Sequence, residues 1–238
     1  MPRKVVLENV DYYRYWDPLF ESVRITLNYR GEKYSAAYIE GISGAAFRIG
    51  GICPCAPTCD SAMLVTDLIH LLGYECEYVP VSGEGIVTAE LFPKVLERIK
   101  SEIDAGRPVL LWNAFTILEW DVVAGYDEEK GELYGRGSYT GNKDYAHAPQ
   151  MQAVAEEVKP ALGVIFIGKK SGVFDAKAAE LAALNEARRH ARDESTTELP
   201  SCGDWKLLHG LACYDRWVNA FGDPGKKLTC GEIGRAHV

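Results

Sequence analysis

Three cysteines crowd the stretch 50–60, GGICPCAPTCD, and closely spaced thiolates are the groups best suited to hold zinc or attack a substrate. Cys53, Cys55 and Cys59 follow a Cys-x-Cys-x3-Cys pattern, with Cys76 or His70 available as a fourth ligand. The pattern lacks the paired Cys-x2-Cys knuckles of zinc modules, so it favours buried or incidental thiols, and no metal is expected. Arg48 closes the small-residue run GISGAAFR, 41–48. It either pairs with an acidic neighbour or anchors an anionic ligand. Tyr12, Tyr13, Tyr15 and Trp16 cluster just ahead of a helix start, either as packing at that entrance or as the wall of a ligand cleft. His70 reads as a partly exposed residue at a helix end, and His190 and His209 receive no role.

The elements that position these groups follow from local rules. Asp17 as N-cap, Pro18 at the first helical position and Gly31 as stop predict a helix over 18–30, with Phe20, Val23 and Leu27 inward. One or two short helices over 34–49 are interrupted at 41–44. A helix capped by Thr58 or Asp60 runs to Leu72 with Val65, Ile69 and Leu72 on its stripe, and 74–81 alternates as a strand. Thr88 starts a helix whose stripe is Leu91, Val95, Ile99 and Ile103. Strands over 109–112 and 120–126 follow, the second turning through a polar loop into a partner at 132–135. Residues 138–149 read as irregular, 151–158 as a helical turn and 162–167 as another strand. An Ala-rich helix over 175–192 carries Leu181, Leu184 and Ala187 on its stripe and Arg188, Arg189 and Arg192 at its C-terminus. A linker over 193–203 precedes a helix over 205–221 with Leu207, Leu211, Tyr214, Val218 and Phe221 on one face.

With 238 residues, 47% of them hydrophobic, the chain can bury one sizeable core, and a net charge of −8 argues against nucleic acid and anionic membrane surfaces as partners. No segment approaches the roughly 18 apolar residues of a membrane span. A cytoplasmic protein is expected, its seven cysteines reduced, and no cofactor is implied.

The stretch GRPVLLWNAFTILEWDVVAGYDEEKGELYGRGSY, 106–139, resembles the central sheet of papain-like cysteine peptidases. The similar branch is the bacterial one holding double-glycine leader peptidases and the N-terminal domain of the butirosin-type acyltransferase. The helix after Asp17 and the segment 41–48 agree with it. The resemblance implies an α+β, papain-like fold with N-terminal helices on an antiparallel sheet over 1–170, a C-terminal helical pair over 171–222 and a tail over 223–238. Residues 232–238, EIGRAHV, resemble a translated sequencing adapter, so the natural chain is expected to continue past residue 231.

The family's catalytic Cys falls near Pro18, its His near Glu119 and its orienting residue near Arg136. None of the three matches, and no Cys precedes Cys53 while no His lies between His70 and His147. The implied function is therefore non-catalytic: a domain binding a small molecule, peptide or partner in the old cleft. The candidates there are Asp17 and Glu119, with Tyr15, Trp16, Arg48, Trp112 and Trp120 as ligand contacts. The alternatives are an acyltransferase, amidase or peptidase using a relocated thiol, or a structural module.

Overall fold

The computed structural model describes residues 2–51, 65–81, 88–138, 143–155, 162–198 and 206–222. The chain divides into two compact units, Met1–Ile39 with Val65–Phe174, and Glu40–Leu64 with Asp175–Val238. Both are assembled from separated segments.

The first unit is built on a seven-stranded antiparallel sheet. Its path runs β3 (Tyr74–Pro80), β8 (Gly163–Lys170), β4 (Val109–Trp112), β5 (Trp120–Asp127), β6 (Glu132–Arg136) and β7 (Ala146–Pro149), with β1 (Lys4–Val6) also paired to β5. The apolar runs 109–112 and 163–167 are almost wholly buried, as interior strands must be. Gly135 lets β6 close on β5, since a Cβ there would lie 2.0 Å from the Val122 carbonyl oxygen. The segment 138–149, expected to be irregular, contains β7, which pairs Tyr134 with His147. It is a short strand held by main-chain pairing to β6, and its four residues, Ala-His-Ala-Pro, are too few for their alternation to mark a strand.

Successive β5 side chains point to opposite faces. Val122 and Ala124 meet Val10, Tyr13 and Ile25 beneath α1 (Pro18–Tyr29), whereas Val123 joins Leu111, Phe92 and Ile99 beneath α4 (Thr88–Asp104). α1 thus lies across β5 and β4 on one face, and α4 covers the other. The Asp17 carboxylate caps α1, accepting from Leu19 N at 2.9 Å and Phe20 N at 3.2 Å. The expected α4 stripe needs correction: Leu91 is 41% exposed, and the buried face is Phe92, Leu96, Ile99 and Ile103. Strict four-residue steps rotate by about 40° each, so three steps carry position 91 roughly 120° off the face that 103 occupies. α2 (Ala36–Ser43) runs through Gly41, where a break was expected, and stops at Gly44, φ +83°. α3 (Val65–Leu71) buries Leu68 and Ile69 and rests on β3.

In the second unit, β2 (Gly50–Gly51), β10 (Lys206–His209) and β9 (Thr196–Glu198) form a small antiparallel sheet. The helix expected over 205–221 is therefore two elements, β10 and then α6 (Ala212–Gly222), and the expected linker contains β9. Gly210, at φ +70°, turns the chain between β10 and α6, and a Cβ there would lie 2.1 Å from the Asp193 carbonyl oxygen. α5 (Ala176–His190) is capped by Asp175 but buries Ala179, Ala183 and His190. The expected stripe faces outward, Leu181 being 59% and Leu184 58% exposed. The Ala face packs on the 3-10 turn Ala45–Phe47, where small side chains permit close approach. Ile49 ties the unit together: its N–H lies 2.7 Å from His190 Nε2, and its carbonyl accepts from Gly210 N at 2.8 Å.

Candidate functional site

The segment leading into α1 is fixed by a buried ionic network. The Glu21 carboxylate takes the Arg24 fork, Nε to Oε2 and Nη2 to Oε1, both at 2.7 Å, and also accepts from Arg14 N at 2.7 Å. Arg24 extends Nη1 to Asp11 Oδ2 at 2.8 Å and Nη2 to the Tyr12 carbonyl at 3.0 Å. Two planar charged forks saturated in this way hold residues 11–14 against the helix. Tyr13 then reaches the sheet, its hydroxyl donating to the Trp120 carbonyl at 2.7 Å. Burial, followed by the charges of Asp121 and Glu21 and more weakly Glu119, pushes the Tyr13 hydroxyl well above its ordinary range, and Ser22 on α1 also reaches it. The first turns of α1 and the beginning of β5 therefore share one neighbourhood.

The connection from β4 to β5 is tied by its own side chains. Asp121, 0% exposed, accepts from Phe115 N and Thr116 N on Oδ2, both at 2.7 Å, and from Ser138 N on Oδ1 at 2.9 Å. Burial pushes its carboxyl up to about 6 although these N–H groups favour the anion. Asn113 and Leu118 both sit at φ +60°, and the Asn113 side-chain oxygen accepts from Leu118 N. Asn113 N in turn donates to the Glu119 carbonyl at 2.9 Å. This framework presents Ile117, exposed, and Glu119, half-buried.

Trp112 and Trp120 stand directly opposite on β4 and β5, their rings edge to face at 5.4 Å. Trp120 alternates with Val122 and so lies on the α1 face of the sheet. Before the helix, Tyr15 and Trp16 are 6.0 Å apart, and Trp16 is 66% exposed. Burial raises the Asp17 carboxyl, with the N–H groups of Phe20 and Leu19 pulling against it.

Of the expected site residues, Tyr15, Trp16, Asp17, Trp112, Glu119 and Trp120 all belong to the first unit. Arg48 belongs to the second, where Nη1 pairs with Glu186 at 2.9 Å. Pro18 occupies the first position of α1 and is buried. Arg136, where an orienting Asn or Asp is expected, is buried and spends its donors on backbone: Nε and Nη2 go to the Val10 carbonyl at 3.0 and 2.6 Å, and Nη1 to the Lys143 carbonyl at 2.6 Å. Cys53, Cys55 and Cys59 lie outside the described residues. Among those described, no three His, Cys, Asp or Glu side chains converge as metal ligands. Burial pushes the Cys76 thiol up to about 12, well away from a nucleophile's range, and Cys213 donates to the Leu208 carbonyl at 2.7 Å.

Sequence reasoning passed over Asn113 and Asp121, and it placed Tyr13 only in the aromatic cluster before the helix, without its bond to β5. The lone acid inside the apolar run WDVVAGY was the available signal, because a carboxylate in an interior strand must find donors.

The described residues define an α+β protein, with a seven-stranded antiparallel sheet and six α-helices among them. No family model matches the chain, and no curated protein matches it. No helix among the described residues is long and apolar enough to cross a membrane.

Proposed function

We propose that the first unit is a degenerate papain-like domain that binds a small molecule or peptide where the N-terminus of α1 meets the start of β5. The observation that carries this reading is the Tyr13 bridge to the Trp120 carbonyl, which joins the approach to α1 to the strand beside Glu119. A thiol peptidase needs its nucleophile and its base to meet across that junction. Asp17 and Pro18 supply no thiol there, and the Arg136 guanidinium is bound to main-chain carbonyls. What remains is suited to binding: the Trp112 and Trp120 pair, exposed Trp16, and two carboxylates that favour an amine or other cation. A net charge of −8 supports a small ligand or peptide over nucleic acid. The reading places the protein in the cytoplasm, where its seven cysteines stay reduced.

The test is hydrolysis of peptide and thioester substrates by the wild-type chain beside Glu119→Gln, together with the rate of thiol alkylation by a small electrophile. No turnover and uniformly slow alkylation are expected. Robust hydrolysis lost in the variant, or one fast low-pKa thiol, overturns the reading in favour of an enzyme.

A further inference from the structure

In the second unit, the C-terminal half of α5 borders a cavity of about 990 Å³. Its lining brings Arg48, Arg188, Arg189 and Arg192 together with Glu186 and Asp193. Four guanidinium groups against two carboxylates leave two positive charges in excess, in a chain whose net charge is −8. Glu186 is shared, one oxygen taking Arg48 at 2.9 Å and the other Arg189. Asp193 is turned to its own loop, accepting from Ser195 N at 2.9 Å. Arg188 and Arg192 make no ion pair with any described residue. His190 also lines the cavity, and its Nδ1 is buried without a hydrogen-bond partner among the described residues.

Basic residues in a last helical turn complement the helix dipole, and that alone accounts for some of this charge. It does not account for Arg48, which arrives from a different segment and whose side chain is only 14% exposed. Arg48 is completed by Glu186, so the excess over the lining carboxylates falls on Arg188, Arg189 and Arg192.

We propose that this cavity binds the phosphoryl group of a small phosphorylated molecule. A phosphate monoester carries about −1.5 to −2 at neutral pH, which matches the charge excess, and guanidinium forks grip its oxygens in pairs. The volume leaves room for an organic group beyond the phosphate, within the usual range of small-molecule sites. This site lies in the second unit and stands independently of the cleft in the first.

Inorganic pyrophosphate is the probe, titrated calorimetrically into the full chain at constant ionic strength beside acetate. Saturable one-site binding of pyrophosphate, with none of acetate, is expected. Replacing together the two arginines that make no ion pair with a described residue, Arg188→Gln with Arg192→Gln, is expected to weaken binding by about tenfold for each guanidinium lost while leaving the melting temperature of the free protein nearly unchanged. Glu186→Gln releases Arg48 and Arg189 from their shared partner and is expected to tighten binding, a gain that damage to the fold cannot mimic. No saturable binding to the folded chain, or binding that the double substitution leaves unchanged, overturns the proposal.

Discussion

A carboxylate buried in the middle of a strand is the most informative single residue here. Asp121 holds Phe115, Thr116 and Ser138 by their amides, so one side chain fixes the start of the β4–β5 connection and the exit from β6. Its folded pKa, raised to about 6, lies above the ordinary value of about 3.9. Folding thus disfavours the anion, and the associated stability is fully present below about pH 4 and lost as pH rises through 6. The expected loss between pH 4 and 7 is roughly 2 kcal/mol. Urea unfolding of wild type and Asp121→Asn across that range measures it: the difference between the two should fall with pH, and a flat difference refutes the assignment. Arg24 offers a second case, because Arg24→Ala leaves the Glu21 carboxylate buried without its fork. A destabilisation of roughly 3–5 kcal/mol is expected in the same assay, and a cost under about 1 kcal/mol refutes it.

Elements differ in how far local chemistry specifies them. α1 was legible because Asp17, Pro18 and Gly31 act within a turn of their own positions, and β4 to β6 because apolar runs and a polar turn admit few other readings. β9 and β10 were not, since each is completed by main chain from elsewhere in the second unit. α5 was read inside out. Leucine outranks alanine in any hydrophobicity count, yet this helix packs by its narrow side. Ala183→Leu is therefore expected to overpack and cost roughly 1–3 kcal/mol, whereas Leu184→Ala should fall within about 0.5 kcal/mol of wild type. Thermal melts of the two variants decide it, and the opposite ranking restores the leucine stripe. The candidate cleft was legible in its aromatics and in Glu119, while the donors that organise Asp121 reach from Phe115 to Ser138 and leave no local pattern.

At the scale of the molecule, the division falls where a simple cut would not. Residues 40–64 belong with the C-terminal segment, so a fragment ending at Phe174 retains the sheet but strands the segment holding Arg48 and Ile49. Such a fragment is expected to keep slow amide exchange on β4, β5 and β8 while exchange at Ile49, whose N–H faces His190, becomes fast. Unchanged protection at Ile49 in the fragment contradicts the division.

The bond from Ile49 to His190 spans 141 residues, and a chain is made from one end. At about 5–20 residues per second, Ile49 is added to the chain roughly 7–28 s before the imidazole that will receive its amide exists. Throughout that interval the early strand β2 has no partner edge, because β10 is made later still.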